Sequence, residues 1–387
     1  MTTTTLQRVR ALAPAIGQRS DEIERCRRLP LDLVADLKAA GCFRMHVPTA
    51  YGGDDLSLRQ ALEVIEELAR ADGSTGWTTS IGCETPILFG LLPEASFAAI
   101  YSQGPDVIGA GSLAPKGHAV TVQGGYCVSG QWPFASGCQH AEWFVANAVV
   151  MDAGEPRMLP NGLPDMRFAI FPAEQVEIID TWQVAGLQGT GSHDLRLRDA
   201  FCPEERTFSL FDSKSALKAV TFAIPTLSEL SLHTAAVAVG IGQGALDDLA
   251  DLVSGAKRRV FAAHRLAESA VFQDLFGEAD ASLRAARALL HSDADFAWAK
   301  AERGEPFSLL ERARIRATAT RVTGLAAQVV DAAYTAGGGT SVYASSPLQR
   351  RLRDIHALTQ HIGVSRDAFA HVGALLAGEE LDPRLPL

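Results

Sequence analysis

Ala119-Val-Thr-Val-Gln-Gly-Gly-Tyr-Cys-Val-Ser-Gly130 decides how the chain is read. Two short runs with β-branched and aromatic residues flank a Gly-Gly pair, the signature of a hairpin. Working outward, Phe144 to Val150, Phe168 to Phe171, Val176 to Ile179 and Asp194 to Arg198 read as further strands, with glycine- and proline-rich turns between them. Strands spaced in this way predict a small barrel or sandwich over residues 106–212. On the amino-terminal side, Leu33 and Leu37, then Ala61, Ile65 and Leu68, recur at helical steps, with breaks at Gly41, Pro48 to Gly53 and Asp72 to Ser74. On the carboxy-terminal side, Val322, Leu325, Val329 and Ala332 keep the helical period until Gly337-Gly338-Gly339 stops it. The predicted architecture is α+β: a helical domain over 1–105, the β-domain over 106–212 and a helical bundle over 213–387.

Composition narrows the function. The chain has 387 residues, 47% hydrophobic and 21% charged, with a formal net charge of -10. An acidic chain lacks the basic surface that nucleic-acid affinity needs. No apolar run reaches the ~20 residues of a membrane span, and Met1 to Arg10 carries no apolar leader, so a cytoplasmic location is expected. Six cysteines without a CxxC pair suit a reducing compartment and no structural zinc. No GxGxxG follows a strand, which assigns NAD(P)H handling to another protein.

The helix–β–helix order resembles the acyl-CoA dehydrogenase superfamily, and short motifs extend the likeness along the chain. Pro48-Thr-Ala-Tyr-Gly-Gly53, Gly125-Tyr-Cys-Val-Ser-Gly-Gln-Trp132, Arg258-Arg-Val-Phe261, and Gly337 to Gly339 followed by Arg353-Asp354 each resemble family motifs in the same order. Longer runs are similar to the two-component flavin-dependent monooxygenases of that superfamily, which include aromatic hydroxylases and indole and dibenzothiophene oxygenases. These runs are Trp132-Pro-Phe-Ala-Ser-Gly-Cys-Gln-His-Ala-Glu-Trp143, Gly186-Leu-Gln-Gly-Thr-Gly-Ser192 and Arg353-Asp-Ile-His-Ala-Leu-Thr-Gln-His361. A dehydrogenase carries a proton-abstracting glutamate shortly after its Arg-Asp. Here Ile362 takes that place, and no acid stands between Asp354 and Asp367.

The resemblance implies a monooxygenase using reduced FAD or FMN from a separate flavin reductase. With dioxygen as co-substrate it would form a flavin C4a-(hydro)peroxide and insert one oxygen atom into a small aromatic molecule, in a homotetramer. His361 is the expected proton handler, since imidazole titrates near neutrality. Ser136 would bond the flavin, Trp132 would pack on its ring, and Gly189, Thr190 and Ser192 would line it. Arg258 and Phe261 would reach the flavin from a neighbouring subunit, with Gly338 at the glycine turn. Trp77, Thr85 and His356 are the expected substrate-side residues, His356 in a supporting place. Phenol-hydroxylating relatives carry a histidine where Thr85 stands, so an indole-like or polycyclic substrate is expected rather than a simple phenol. The alternatives that remain open are N- or S-oxygenation and an acyl-CoA dehydrogenase.

Overall fold

The computed structural model describes residues 3–210, 214–254 and 264–382. Helices α1 (Thr5–Gln18), α2 (Ser20–Cys26), α3 (Leu31–Ala40), α4 (Leu58–Ala71), α5 (Gly73–Phe89) and α6 (Glu94–Ile100) precede the first strand. Ser57 opens α4 through a reciprocal cap with Gln60, and Ala61, Leu62, Ile65, Leu68 and Ala69 form its buried face. Asp72 ends α4 and caps α5, its carboxylate accepting from the Thr75 backbone N–H at 2.7 Å and the Thr75 hydroxyl at 2.8 Å. Helix α5 is buried on nearly every side yet rich in glycine, serine and threonine. Its small residues permit close approach: a Cβ on Gly76 would lie 2.5 Å from that of Ala69. This thin helix is therefore pressed between α4 and the sheet, and it carries Trp77, Glu84 and Thr85 inward.

The β-domain comprises β1 (Gly109–Val122), β2 (Gly125–Ala135), β3 (Trp143–Asp152), β4 (Glu155–Pro156), β5 (Met166–Pro172), β6 (Glu177–Ile179), β7 (His193–Pro203) and β8 (Thr207–Phe208). They form one mixed sheet in the order β6-β7-β2-β1-β3-β5-β8, with β4 hanging on β3. The expected hairpin is β1–β2, closing on Val122 opposite Gly125, and β1 runs parallel to β3. Val128, Trp132, Ala148, Phe171, Leu197 and Cys202, from strands far apart in that order, share one apolar core. The Cys202 thiol of β7 lies 3.7 Å from the Ile170 carbonyl of β5. The sheet thus curls around its own interior.

Helices α7 (Thr226–Ser254), α8 (Ala270–Glu302), α9 (Leu309–Gly337), α10 (Pro347–Leu358) and α11 (Asp367–Leu376) complete the fold. Alanine-lined faces let α7 and α9 pack closely. Asp354 on α10 is buried and accepts the Leu187 N–H at 2.6 Å. At Gly186 a Cβ would lie 2.0 Å from the Arg353 carbonyl, so only glycine lets this loop dock on α10. The bundle thereby fixes the loop before β7. No described helix is long and apolar enough to cross a membrane.

Candidate active site

Three segments meet at the end of β2. Trp77 of α5 donates its indole N–H to Ser136 Oγ at 2.8 Å. Ser136 and Ser192 hydroxyls are 2.7 Å apart, as are those of Ser192 and Thr190. The Thr190 hydroxyl donates to the Leu187 carbonyl at 2.8 Å. Each hydroxyl has one proton, so the last bond sets the direction of all the others. With the Thr190 proton on Leu187, Ser192 must donate to Thr190 and Ser136 to Ser192. The chain runs Trp77, Ser136, Ser192, Thr190, Leu187, with every proton used. Leu187 anchors it from a left-handed backbone conformation (φ 51°) that costs an L-residue about 1–2 kcal/mol; the Asp354 bond holds it there. Burial, then the nearby Asp72, pushes the Asp354 carboxyl up to about 7.

Around this chain lie buried polar atoms with no partner among the described residues: Thr78 Oγ1, Gln139 Oε1 and both ring nitrogens of His140. They cluster because Gly137 N donates to the Thr190 carbonyl at 2.8 Å, and because Gly137 and Gly191 carry no Cβ toward Thr78 and Gln139. Unmet hydrogen-bond demand beside a row of hydroxyls fits the polar edge of a flavin.

His361 joins this chain to a cavity. Its ring meets Trp77 edge-on, with centroids 4.9 Å apart. Helix α10 ends at Leu358, so His361 sits in a connecting turn, and its Nδ1 accepts the Gly363 N–H at 3.2 Å. Burial pushes the imidazole down to about 4. The neutral ring with Nδ1 accepting carries its proton on Nε2. The cavity, about 350 Å³, has a largely aliphatic and aromatic wall including Leu88, Val145, Phe168 and Leu230, together with Thr85, His361 and Ile362.

Two expectations are corrected. Trp132 does not reach a ligand: it is fully buried in the β-domain core and donates Nε1–H to the Asn147 carbonyl at 2.6 Å. A bulge between Trp132 and Ala135 breaks the alternation, and Phe134 there has φ 65° and is 66% exposed. Phe134 and Trp182 face each other edge-on, centroids 6.2 Å apart, near Ser136. These two, rather than Trp132, are the accessible rings there. His356 is exposed on α10, pairs with Asp331 at 2.8 Å and does not line the cavity.

The remaining expected residues take these places. Gly189 is buried where a Cβ would lie 2.3 Å from Ile23, so it serves the packing of α2 against this loop. Gly338 is exposed at the end of α9, with φ 62°. Arg258 and Phe261 lie outside the described residues. Sequence reasoning missed Glu84, Glu229 and His233, buried groups whose spacing matches no motif.

A fold of helices, curled sheet and helices, with an apolar cavity beside a polar row, defines an acyl-CoA dehydrogenase-type flavoprotein. Residues 4–90 match the acyl-CoA dehydrogenase amino-terminal domain and residues 232–366 the carboxy-terminal domain. The chain is 33% identical to indole-3-acetate monooxygenase of Pseudomonas putida, over 94% of this chain and 90% of that protein. It is 32% identical to the oxygenase component of the FADH(2)-dependent resorcinol hydroxylase of Rhizobium sp. (strain MTP-10005), over 96% of this chain and 94% of that protein. XiaF from Streptomyces sp., solved with FADH2 and glycerol, superposes with a TM-score of 0.92 at 26% identity, over 99% of this chain and 96% of that one. The chain belongs to the flavin-dependent monooxygenases of the acyl-CoA dehydrogenase fold. It is an oxidoreductase whose cofactor is reduced flavin and whose co-substrate is dioxygen.

Proposed function

We propose that this enzyme is the oxygenase component of a two-component system. In this reading it inserts one oxygen atom into a mostly apolar aromatic or heteroaromatic molecule, indole-like or polycyclic, held in the cavity. A separate reductase supplies the reduced flavin. The observation that carries the reading is a largely apolar cavity whose wall joins a neutral His361 to Ile362, where a dehydrogenase needs its base. Relatives named for indole-3-acetate and resorcinol support an aromatic substrate. Bound reduced flavin supplies the electrons that activate dioxygen.

The chain's own residues have three tasks. Leu88, Val145, Phe168 and Leu230 exclude water. Ser136, Ser192 and Thr190 have committed their protons, so each offers lone pairs to donors on the flavin, such as the N–H groups of its reduced form. His361 lines the cavity with its proton held on Nε2 and can donate it as a hydrogen bond to a bound partner. Val342, Tyr343, Ile362 and Leu376, each at least 62% exposed, put apolar surface on the carboxy-terminal region, and we assign it to contacts within a homotetramer. Light scattering at micromolar concentration should return four chains.

Stopped-flow mixing of the protein and chemically reduced flavin with oxygen tests the reading. A near-ultraviolet transient is expected, shortened in His361→Ala, with the aromatic product gaining one oxygen. Immediate return of oxidised flavin in the unmodified protein would overturn it.

A further inference from the structure

Glu84 is the acid in the wall of the cavity, and nothing above uses it. It projects from α5 among Ile81, Leu88, Leu227 and Leu230 and is only 7% exposed. Its Oε1 accepts the Ser80 hydroxyl at 3.1 Å and lies 3.4 Å from His233 Nδ1 on α7. Beyond, His233 Nε2 is 3.1 Å from His46 Nε2, and His46 Nδ1 is buried without a partner.

That orphan fixes the protons. A buried N–H without an acceptor is penalised more than a spare lone pair. His46 therefore carries its proton on Nε2 and donates to His233, which leaves the His233 proton on Nδ1, toward Glu84 Oε1. Oε1 then accepts from Ser80, and the His233 N–H lies between it, at 3.4 Å, and Cys83 Sγ, at 3.8 Å. Oε2 has no partner among the described residues.

The groups facing this carboxyl leave it without a countercharge. Glu229, on α7, is a second buried acid bonded to Thr221 at 2.7 Å, and burial holds it up at about 8. Burial pushes His233 down to about 3 and His46 well below its ordinary value, the latter helped by His233. Cys83, beside it on α5, is likewise held as the thiol. Arg316 of α9 and His361 line the same cavity, but the ion-pair contact of Glu84 is with the neutral His233. Burial pushes Glu84 itself up to about 8, against the opposing Ser80 bond. With Oε1 accepting from Ser80, the proton of the neutral acid resides on Oε2.

We propose that Glu84 reads the substrate by donating a hydrogen bond from Oε2 to an oxygen on the ring system, whether phenolic, carbonyl or carboxylate. This rests on the oxygenase reading above and narrows it. It also relocates the recognition expected of Thr85. The Thr85 hydroxyl accepts the Gly109 N–H at 2.9 Å, and the side chain is packed against β1. Oxygen recognition passes to the preceding residue, Glu84.

The test titrates the protein with 2-naphthol, 1-indanone and 2-naphthoate against naphthalene, following protein fluorescence. At pH 7 at least one oxygenated probe should bind roughly tenfold more tightly than naphthalene, the equivalent of one neutral hydrogen bond; which probe does so identifies the oxygen. Glu84→Gln, which keeps an N–H donor there, should hold the ratio within about threefold. Glu84→Leu should bring it near one. In the unmodified protein the ratio should shrink above pH 8 as the donor proton is lost, and in Glu84→Gln it should not. A ratio unchanged in Glu84→Leu, absent for all three probes, or growing above pH 8 overturns the proposal. Should the leucine variant not fold, the glutamine variant and the pH series still decide it. The flavin transient of the unmodified enzyme tests the oxygenase reading separately, because the probe ratio needs neither flavin nor oxygen.

Discussion

Replacing Ser192 with alanine should do more damage than its single hydroxyl suggests. In the directional chain Ser192 accepts from Ser136 and donates to Thr190. Its loss removes two bonds, each worth about 1 kcal/mol net. It also strands the proton of Ser136, which is only 6% exposed, adding a desolvation penalty of about 1–3 kcal/mol. Thr190 loses only a partner for a lone pair. The expected total is roughly 3–5 kcal/mol of stability. Ser136→Ala also removes two bonds and strands the Trp77 indole N–H instead, for a similar loss of about 3–5 kcal/mol by the same reasoning. The double variant no longer contains the Ser136 proton and loses the shared Ser136–Ser192 bond only once, so it should be less destabilised than the sum of the singles by about 2–4 kcal/mol. Equilibrium urea unfolding of the four proteins without flavin, followed by tryptophan fluorescence, measures this. Additivity within about 0.5 kcal/mol would refute the proton order, since independent sites behave in that way.

Three further outcomes follow from the same geometry. Trp132→Phe should lose about 1–3 kcal/mol of stability through the broken bond to Asn147, with reduced-flavin affinity unchanged within about twofold; a large affinity loss would restore Trp132 to the cofactor. Asp354→Ala should free the Leu187 loop and weaken reduced-flavin binding roughly tenfold, a shift of about 1.4 kcal/mol, while Asp354→Asn, which can still accept the Leu187 N–H, should stay close to the parent in anaerobic titration. For His361 the folded value of about 4 lies below the unfolded 6.5, so the unfolded chain binds more protons between them. Its contribution is complete above pH 6.5 and is lost as pH falls toward 4. The urea midpoint should therefore drop across that window, and His361→Gln should flatten the drop; an unchanged slope would mean that water reaches the ring.

The helix–sheet–helix order was legible because each region advertises a period: the Gly124-Gly125 hairpin is a local signal, and so is the spacing on α4. The loop Gly186 to Ser192 was legible as a place, since its glycines mark close approach. The role of Trp132 was not. Alternation along β2 gives it the same face as Phe134, and only the bulge, which depends on pairing with β7, turns Phe134 out and leaves Trp132 inside. His356 and His361 read as one helix in sequence, but α10 stops at Leu358 and the two rings part. Glu84 was invisible for another reason. Its chemistry comes from His233 and His46, distant in sequence, and no spacing within α5 encodes a partner on α7.

Burial favours the neutral form of His361 and Glu84 in the cavity wall and of His233 and Glu229 behind it, downward for the imidazoles and upward for the acids, while Arg316 in the same wall keeps its charge. A preorganised site for oxygen transfer profits from that arrangement. A buried fixed carboxylate or imidazolium would draw in water to solvate it, and admitted water diverts activated oxygen to hydrogen peroxide instead of the substrate. Neutral donors and acceptors can orient a substrate without that demand. They also keep His361 a neutral hydrogen-bond donor, because the surroundings do not stabilise the imidazolium.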